Sequence, residues 1–264
     1  MVKRNQMKKI FLSVLVCLVC GLTAFSQGFQ LPEGAKDPGE IQILCIGNSF
    51  TYVHDSDMML REIARSQGLD VRIGKFLAGG YTFGRHLENE ESRAAVDFGG
   101  YDFAFLQDQS ANPARYSRDK DKKVLEDLKT LKKNVLAHSP GCKVILERTW
   151  TYSGHEAGGF GTSESFDYHL GRGAAKMARK ARTGLSPIGD AFNLAEEIWP
   201  EGKLLGPDNH HQSLEGAYLK ACVNYLLIAG KPFSGSPACC GVDPETAAFL
   251  RAVAQATASA INPV

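Results

Sequence analysis

The stretch Ile41-Gln42-Ile43-Leu44-Cys45-Ile46-Gly47-Asn48-Ser49-Phe50-Thr51 sets the frame for the rest of the chain. An Ile-rich apolar run stops abruptly at Gly-Asn-Ser, and an amphipathic segment from about His54 to Gln67 follows. That pattern predicts a buried strand, a sharp turn and a helix. A serine at the C-terminal end of a first, central strand stands where open α/β sheets place their ligands. The free N–H groups at the start of the next helix favour developing negative charge there. Ser49 is therefore a candidate nucleophile; the plain alternative is that Asn48 or Ser49 only caps the turn.

Upstream, Lys3, Arg4, Lys8 and Lys9 precede an almost wholly apolar run from Ile10 to Leu22. Ala24-Phe25-Ser26 then offers small residues at the two positions a signal peptidase reads. Residues 1–26 read as a secretory signal peptide cleaved before Gln27, so the mature protein is expected in the periplasm or outside the cell. Stable membrane insertion is not expected after processing, because the apolar core is short for a span. Val19 is a poor neighbour for a lipidated Cys20. Residues 27–40, with Gly28, Pro32, Gly34, Pro38 and Gly39, read as a flexible lead-in.

The 264 residues are 44% hydrophobic and 22% charged, an ordinary balance for a globular protein. The leader holds four of the 30 Lys/Arg and no Asp/Glu, so 26 basic residues face 29 acidic ones after processing, a net charge of −3. That leaves no electrostatic footprint for nucleic acid. The lysines from Lys120 to Lys133 alternate with Asp119, Asp121, Glu126 and Asp127 and read as a solvated helix face. Cys45 and Cys142 lie in apolar runs and read as small core residues. An oxidising compartment permits a bond from Cys222 to Cys239 or Cys240. No C-x-x-C pair remains after processing, which argues against a zinc ribbon.

Downstream of the first strand, short apolar runs at about 69–76, 101–106, 143–150 and 185–189 read as strands. Helices are expected over about 84–95, 118–138, 166–182, 190–199, 214–229 and 244–261. Residues 151–165, rich in glycine, read as a loop. The strands are apolar on both faces and every crossover is long enough for a helix. The fold class predicted is α/β, a three-layer α/β/α sandwich around a roughly five-stranded parallel sheet, with residues 41–264 as a single domain.

The second informative stretch is Leu205-Gly206-Pro207-Asp208-Asn209-His210-His211-Gln212-Ser213. A histidine general base needs its ring held in one tautomer, and a carboxylate can do this by accepting from the ring N–H. Asp208 and His211, three apart in one loop before a helix, can supply both groups. Alone this is a weak signal, since loop Asp and His residues are commonly just solvated.

Together with Gly47-Asn48-Ser49, the chain resembles the SGNH (GDSL-like) hydrolase superfamily over Ile41 to about Gly230. It looks closest to an exported bacterial branch with G-N-S-[FY]-[TS], a strand ending L-Q-x-Q-S, and a double histidine. The resemblance implies a flavodoxin-like sheet and a triad of Ser49, His211 and Asp208. It also implies an oxyanion hole from the backbone N–H of Ser49 and Gly80 and the amide of Gln109, with Gln107 as the alternative. Gln107-Asp108-Gln109-Ser110 stands where the superfamily carries G-x-N-D. The chain departs from the pattern in Asn48 for Asp, in the longer glutamine arm, and in Gln212 for the usual Pro.

The activity so implied is that of a secreted serine esterase, without metal or other cofactor, removing small acyl groups from a carbohydrate or related small-molecule or glycan ester. The alternatives are an acyltransferase using the same acyl-enzyme, and a non-catalytic carbohydrate-binding module on the same fold. A metal-dependent phosphoesterase would need several ligands at strand ends, and only 208–211 qualifies. His210 competes with His211 as base and otherwise lines the site. His54, just after the nucleophile loop, and Trp150, which with Tyr152 and Phe160 follows a strand's C-terminal end, are candidates to touch substrate, with core packing the equal alternative for Trp150.

Overall fold

A computed structural model describes residues 28–154, 156 and 158–261. The expected signal peptide and His155 lie outside them. Six strands, β1 (Phe29–Gln30), β2 (Ile41–Gly47), β3 (Val71–Leu77), β4 (Phe103–Leu106), β5 (Lys143–Glu147) and β6 (Gly184–Ser186), form one sheet in the order β1-β3-β2-β4-β5-β6. All neighbours are parallel except the β1–β3 pair. The five parallel strands follow the flavodoxin-like order, in which the chain crosses in opposite directions on either side of the first of them. The switch point therefore lies at the C-terminal end of β2, where β3 and β4 flank it.

Period-two alternation divides the core. Ile43, Cys45, Ile73, Phe103, Phe105 and Ile145 point to one face. There they meet α2 (Ser56–Ser66), α8 (Ile188–Ile198), α9 (Leu214–Ala229) and α10 (Pro244–Ile261). Leu44, Ile46, Phe76, Ala104, Leu106, Val144 and Leu146 point to the other face. That face is covered by α3 (Phe83–Glu88), α4 (Glu90–Asp97), α6 (Lys122–His138) and α7 (Ser163–Ala181). A strand buried on both sides has no polar face to show, which is why β2 reads as a continuous apolar run. The single-turn α1 (Ser49–Tyr52) and α5 (Asn112–Asp119) sit at the C-terminal edge of the sheet.

The sheet has one strand more than the five expected, because Phe29 and Gln30 in the presumed lead-in pair antiparallel with Phe76 and Lys75. The lead-in is held further by the Arg72 guanidinium, which donates to the carbonyls of Glu33 and Gly34. Two expected helices are each split. Asn89 ends α3 in an extended conformation and caps α4 through its side chain, which accepts from Ser92 N at 2.8 Å. Lys120, at φ 59°, turns the chain between α5 and α6. All five cysteines among the described residues are free, so the bond from Cys222 does not form. No described helix is long and apolar enough to cross a membrane.

His86 of α3 is 1% exposed, edge-on to Phe76, with Nδ1 3.2 Å from Ser92 Oγ. Burial pushes its imidazole down to about 4. The unfolded chain takes up this proton near pH 6.5 and the folded one near 4. Stability from the neutral ring is thus complete above about pH 6.5 and is lost as pH falls toward 4. Between pH 7 and 4.5 the parent is expected to lose about 2 kcal/mol more unfolding free energy than His86→Asn. Urea denaturation at the two pH values checks this; equal losses would show that His86 is not the group responsible.

Candidate active site

At the C-terminal end of β2 the backbone must turn within two residues. Gly47 has no room for a side chain, since a Cβ would lie 2.9 Å from Gln107 Oε1. Asn48 follows in extended conformation, and its Oδ1 caps α1 by accepting from Phe50 N at 3.1 Å. Its Nδ2 donates to the carbonyls of Tyr81 at 3.1 Å and Asp108 at 3.2 Å. One carboxamide thus ties the turn before Ser49 to the loops after β3 and β4. A carboxylate at this position could not make these two donations. The Asn-for-Asp departure is therefore built into the site rather than being a passive loss.

Ser49 opens α1, and its Oγ lies 2.8 Å from His211 Nε2. His211 Nδ1 lies 2.6 Å from Asp208 Oδ2. An ionised carboxylate only accepts, so Nδ1 carries the proton and Nε2 is left to accept from the serine hydroxyl. Asp208 Oδ1 also accepts from the backbone N–H of His210 and His211, each at 3.0 Å. The hydrogen bond from His211, reinforced by these N–H groups, holds the Asp208 carboxyl at about 2.

The 205–212 loop is closed by an antiparallel bridge between Leu205 and Gln212 and by Gly206 N donating to His211 O at 2.8 Å. Asn209, at φ 49°, makes its tight turn. Gln212 reaches back and donates through Nε2 to Val53 O at 2.8 Å. Gln212 thereby latches the histidine loop onto the segment that follows Ser49.

Trp150 does not face substrate. It is 1% exposed and sandwiched between Phe50, at 4.4 Å and 4°, and Phe192, at 4.6 Å and 8°. Its indole N–H donates to His210 O at 3.2 Å. Trp150 thus carries no open face for a sugar; it braces the residue after Ser49 and the histidine loop together. Phe160 is also buried. His210 packs edge-on to Tyr152, with ring centroids 4.2 Å apart, and to Phe50 at 5.1 Å. Burial, with His211 beside it, pushes its imidazole down. His54 is exposed, and both it and Asp55 adopt left-handed backbone, at φ 56° and 49°.

Of the two glutamines, Gln107 is the more deeply buried, at 1% exposure. Its Oε1 accepts from Asn48 N at 2.9 Å and its Nε2 donates to Asp108 O. Gln109 is half-buried, with Oε1 fixed by Ala111 N at 3.0 Å and Nε2 making only a 3.5 Å contact to Ser110 Oγ. Gly80 is exposed in the loop after β3 at φ 67°.

Beneath α1 lies a polar cluster that residue patterns did not disclose. Lys220 Nζ, on α9, donates to Glu147 Oε2 at 2.6 Å, Phe50 O at 3.0 Å and Thr51 Oγ1 at 2.8 Å. Both charged side chains are 2% exposed. Asn224 Nδ2 donates to Glu147 Oε1 at 2.7 Å, and Asn224 Oδ1 accepts from Ser186 Oγ at 2.7 Å. The one sequence signal was a lone lysine inside the apolar run from Ala217 to Ala229.

No family model and no curated protein matches the chain. Solved structures do. A DUF4886 family protein from Bacteroides uniformis is similar at a TM-score of 0.69 and 20% identity, covering 85% of this chain and 96% of that one. A protein from Slackia heliotrinireducens assigned to the SGNH hydrolases is similar at 0.60 and 21%, covering 72% and 99%. An acetyl xylan esterase from Geobacillus stearothermophilus is similar at 0.50 and 19%, covering 75% and 99%. The chain has the α/β fold of the SGNH, or GDSL-like, hydrolases.

Two substitutions test how the site is held. Asn48→Asp sets a carboxylate against two carbonyls and is expected to cost about 2–4 kcal/mol at pH 7, with part recovered at pH 4 as the acid protonates. Lys220→Met strands Glu147 and is expected to cost about 3–5 kcal/mol, part of it recovered by adding Glu147→Leu. Denaturant titration of the variants reads both; an Asn48→Asp protein as stable as the parent would refute the carboxamide clamp.

Proposed function

We propose that the protein is an exported serine ester hydrolase that removes small acyl groups from carbohydrate esters through an acyl-enzyme on Ser49. The observation that carries the reading is the unbroken relay from Ser49 Oγ to His211 Nε2, at 2.8 Å, and from His211 Nδ1 to Asp208, at 2.6 Å, at the sheet's switch point. The acetyl xylan esterase among the similar structures supports the ester and carbohydrate part. The leader-like N-terminus supports export.

In this reading His211 Nε2 takes the Ser49 proton as Oγ bonds to the ester carbonyl carbon. Asp208, ionised throughout the working range, keeps the ring in the productive tautomer and balances the imidazolium. The carbonyl oxygen becomes an oxyanion received by the N–H of Ser49 and of Gly80 and by the Gln109 amide. Each such donor contributes about 2.7–4 kcal/mol. The imidazolium protonates the leaving alcohol oxygen as its bond to carbon breaks. Water then gives a proton to His211 Nε2 as it attacks the acyl carbon, and the imidazolium returns that proton to Ser49 Oγ as the bond from Oγ to the acyl carbon breaks and the acid leaves. His210 and exposed His54 border the reacting groups as substrate contacts.

The test is hydrolysis of p-nitrophenyl acetate and butyrate by the mature protein. Ser49→Ala and His211→Ala are each expected to reduce kcat by about 10⁴-fold or more, and Gln109→Ala by about 10²-fold. Acetate is expected to be preferred over butyrate. Rates in Ser49→Ala and His211→Ala equal to the parent's would overturn the proposal.

A further inference from the structure

Asp108 lies just past β4, at 3% exposure, and takes no part in the relay from Ser49 to Asp208. Its Oδ1 accepts from Phe83 N at 2.9 Å and from Gln109 N at 2.8 Å. Phe83 opens α3 at the end of the loop that carries Gly80, and Gln109 stands in the loop after β4. One carboxylate oxygen therefore joins the two loops that, in the reading above, supply the oxyanion donors besides Ser49. Asp108 Oδ2 accepts from Asn112 Nδ2 at 3.1 Å, and Asn112 N in turn donates to Gln109 O at 2.9 Å. The Asp108 carbonyl accepts from Asn48 Nδ2 at 3.2 Å, which reaches the turn before Ser49. A single residue is thus bonded to all three segments.

These contacts fit the ionised acid, which only accepts. A protonated carboxyl has to place an O–H among N–H donors. On Oδ1 it meets two backbone N–H groups; on Oδ2 it meets the Asn112 amide, whose Oδ1 already accepts from Arg115 Nη1 at 3.4 Å. Either way a buried N–H loses its acceptor, so the turn must shift. Burial pushes this carboxyl up to about 6, against the pull of its three N–H donors. Asp127 of α6, paired with Lys123 at 2.8 Å, adds to the upward push. Among the other elements around it, α3 carries Arg85, held over the Tyr81 ring, buried His86, pushed down to about 4, and exposed Glu88. The α5 helix carries Arg115, held on Asn112, and the Arg118–Asp119 pair; the Gly47–Thr51 turn carries no charged side chain.

We infer that Asp108 is a positioning residue that makes turnover acid-sensitive: ionised, it holds the Gly80 and Gln109 loops as one oxyanion-binding unit, and on protonation it releases them, so kcat falls by a route separate from protonation of His211. The inference rests on the hydrolase reading above and adds how the oxyanion site of that reaction is held and regulated. The proton comes from solvent and binds a carboxylate oxygen; no bond to substrate is made or broken. Asp108 acts only through the N–H groups it holds, so its effect belongs to the transition state and is expected in kcat rather than KM.

Asp108→Asn keeps an Oδ1 acceptor but sets an NH₂ against the Asn112 amide, as the protonated acid sets its O–H. Hydrolysis of p-nitrophenyl acetate by parent and variant is measured between about pH 8 and 5, above the range in which His86 titrates. At pH 8 the variant is expected to have about tenfold lower kcat with KM unchanged, and at pH 5 to lie within about twofold of the parent. A parent-to-variant ratio that is the same at both pH values would overturn the inference, because a merely structural loss does not follow the proton. A second measurement needs no turnover and no variant. The amide shifts of Phe83 and Gln109 in the parent, followed by NMR, are expected to titrate together with the Asp108 carboxyl carbon, with a midpoint near 6. Amides that stay still while the carboxyl titrates would overturn the bridge. If turnover proves independent of Ser49, the ester-hydrolase reading falls, and the amide titration still upholds or overturns the coupling of the two loops through Asp108.

Discussion

The reacting end of the molecule depends on a topological constraint. Parallel strands must be joined by crossovers, and here the chain crosses one way from β2 to β3 and the other way onward to β4. The loops at the C-terminal edge therefore diverge and leave a crevice above β2. Left to itself, such a crevice would be a gap between three independently mobile loops. The Asn48 carboxamide closes it from below, donating to one loop on each side while its oxygen starts the helix that bears Ser49. Ser49 is thus placed by the same side chain that sets the spacing of the flanking loops.

A second set of constraints brings in the distant histidine loop, 162 residues away in sequence. The Phe50–Trp150–Phe192 stack supplies a rigid apolar brace, and the Trp150 N–H fixes the His210 carbonyl. Below it, Lys220 and Glu147 form a dry ion pair that also binds the Phe50 carbonyl. A buried pair of this kind is weak evidence for net stability, because desolvation cancels much of the attraction. Its value lies in specificity of position: Lys220 has three oxygen partners from two separate elements, and only one placement of α1 satisfies them.

Much of the fold was legible because its signals are local. The Ile41–Gly47 run, the alternation of strands with long crossovers, and the helices at 214–229 and 244–261 follow from pattern alone. β1 was not legible, since two residues carry no periodicity and only the partner strand gives them a conformation. The breaks at Asn89 and Lys120 were masked by helix-compatible residues on either side. Ser49, Asp208 and His211, which the structure brings within hydrogen-bond distance, could be singled out because they sit in short motif stretches. For Trp150 the sequence left substrate stacking and core packing equally open, because position at a strand end says where a residue lies along the sheet, not which way its ring turns; the structure packs it in the core. Gln107 and Gln109 were indistinguishable in sequence, yet differ in burial, Gln107 being enclosed and Gln109 half-buried. The Lys220–Glu147 pair spans 73 residues, beyond the reach of any local pattern.

The short β1 pairing has a consequence for how copies of the chain behave toward one another. A sheet margin with an open row of N–H and C=O groups is a template for another chain. Along β3 that row is blunted where Phe29 and Gln30 pair with it and where Leu77 N donates to Gly28 O at 3.0 Å. The same strand carries Arg72 and Lys75, whose buried charges are neutralised only within this fold, Lys75 by Asp57 at 2.5 Å. At the opposite margin β6 offers three residues. Both borders of the sheet are in this way poor seeds for intermolecular strand growth, a form of colloidal protection supplied by a few residues that the core itself does not require.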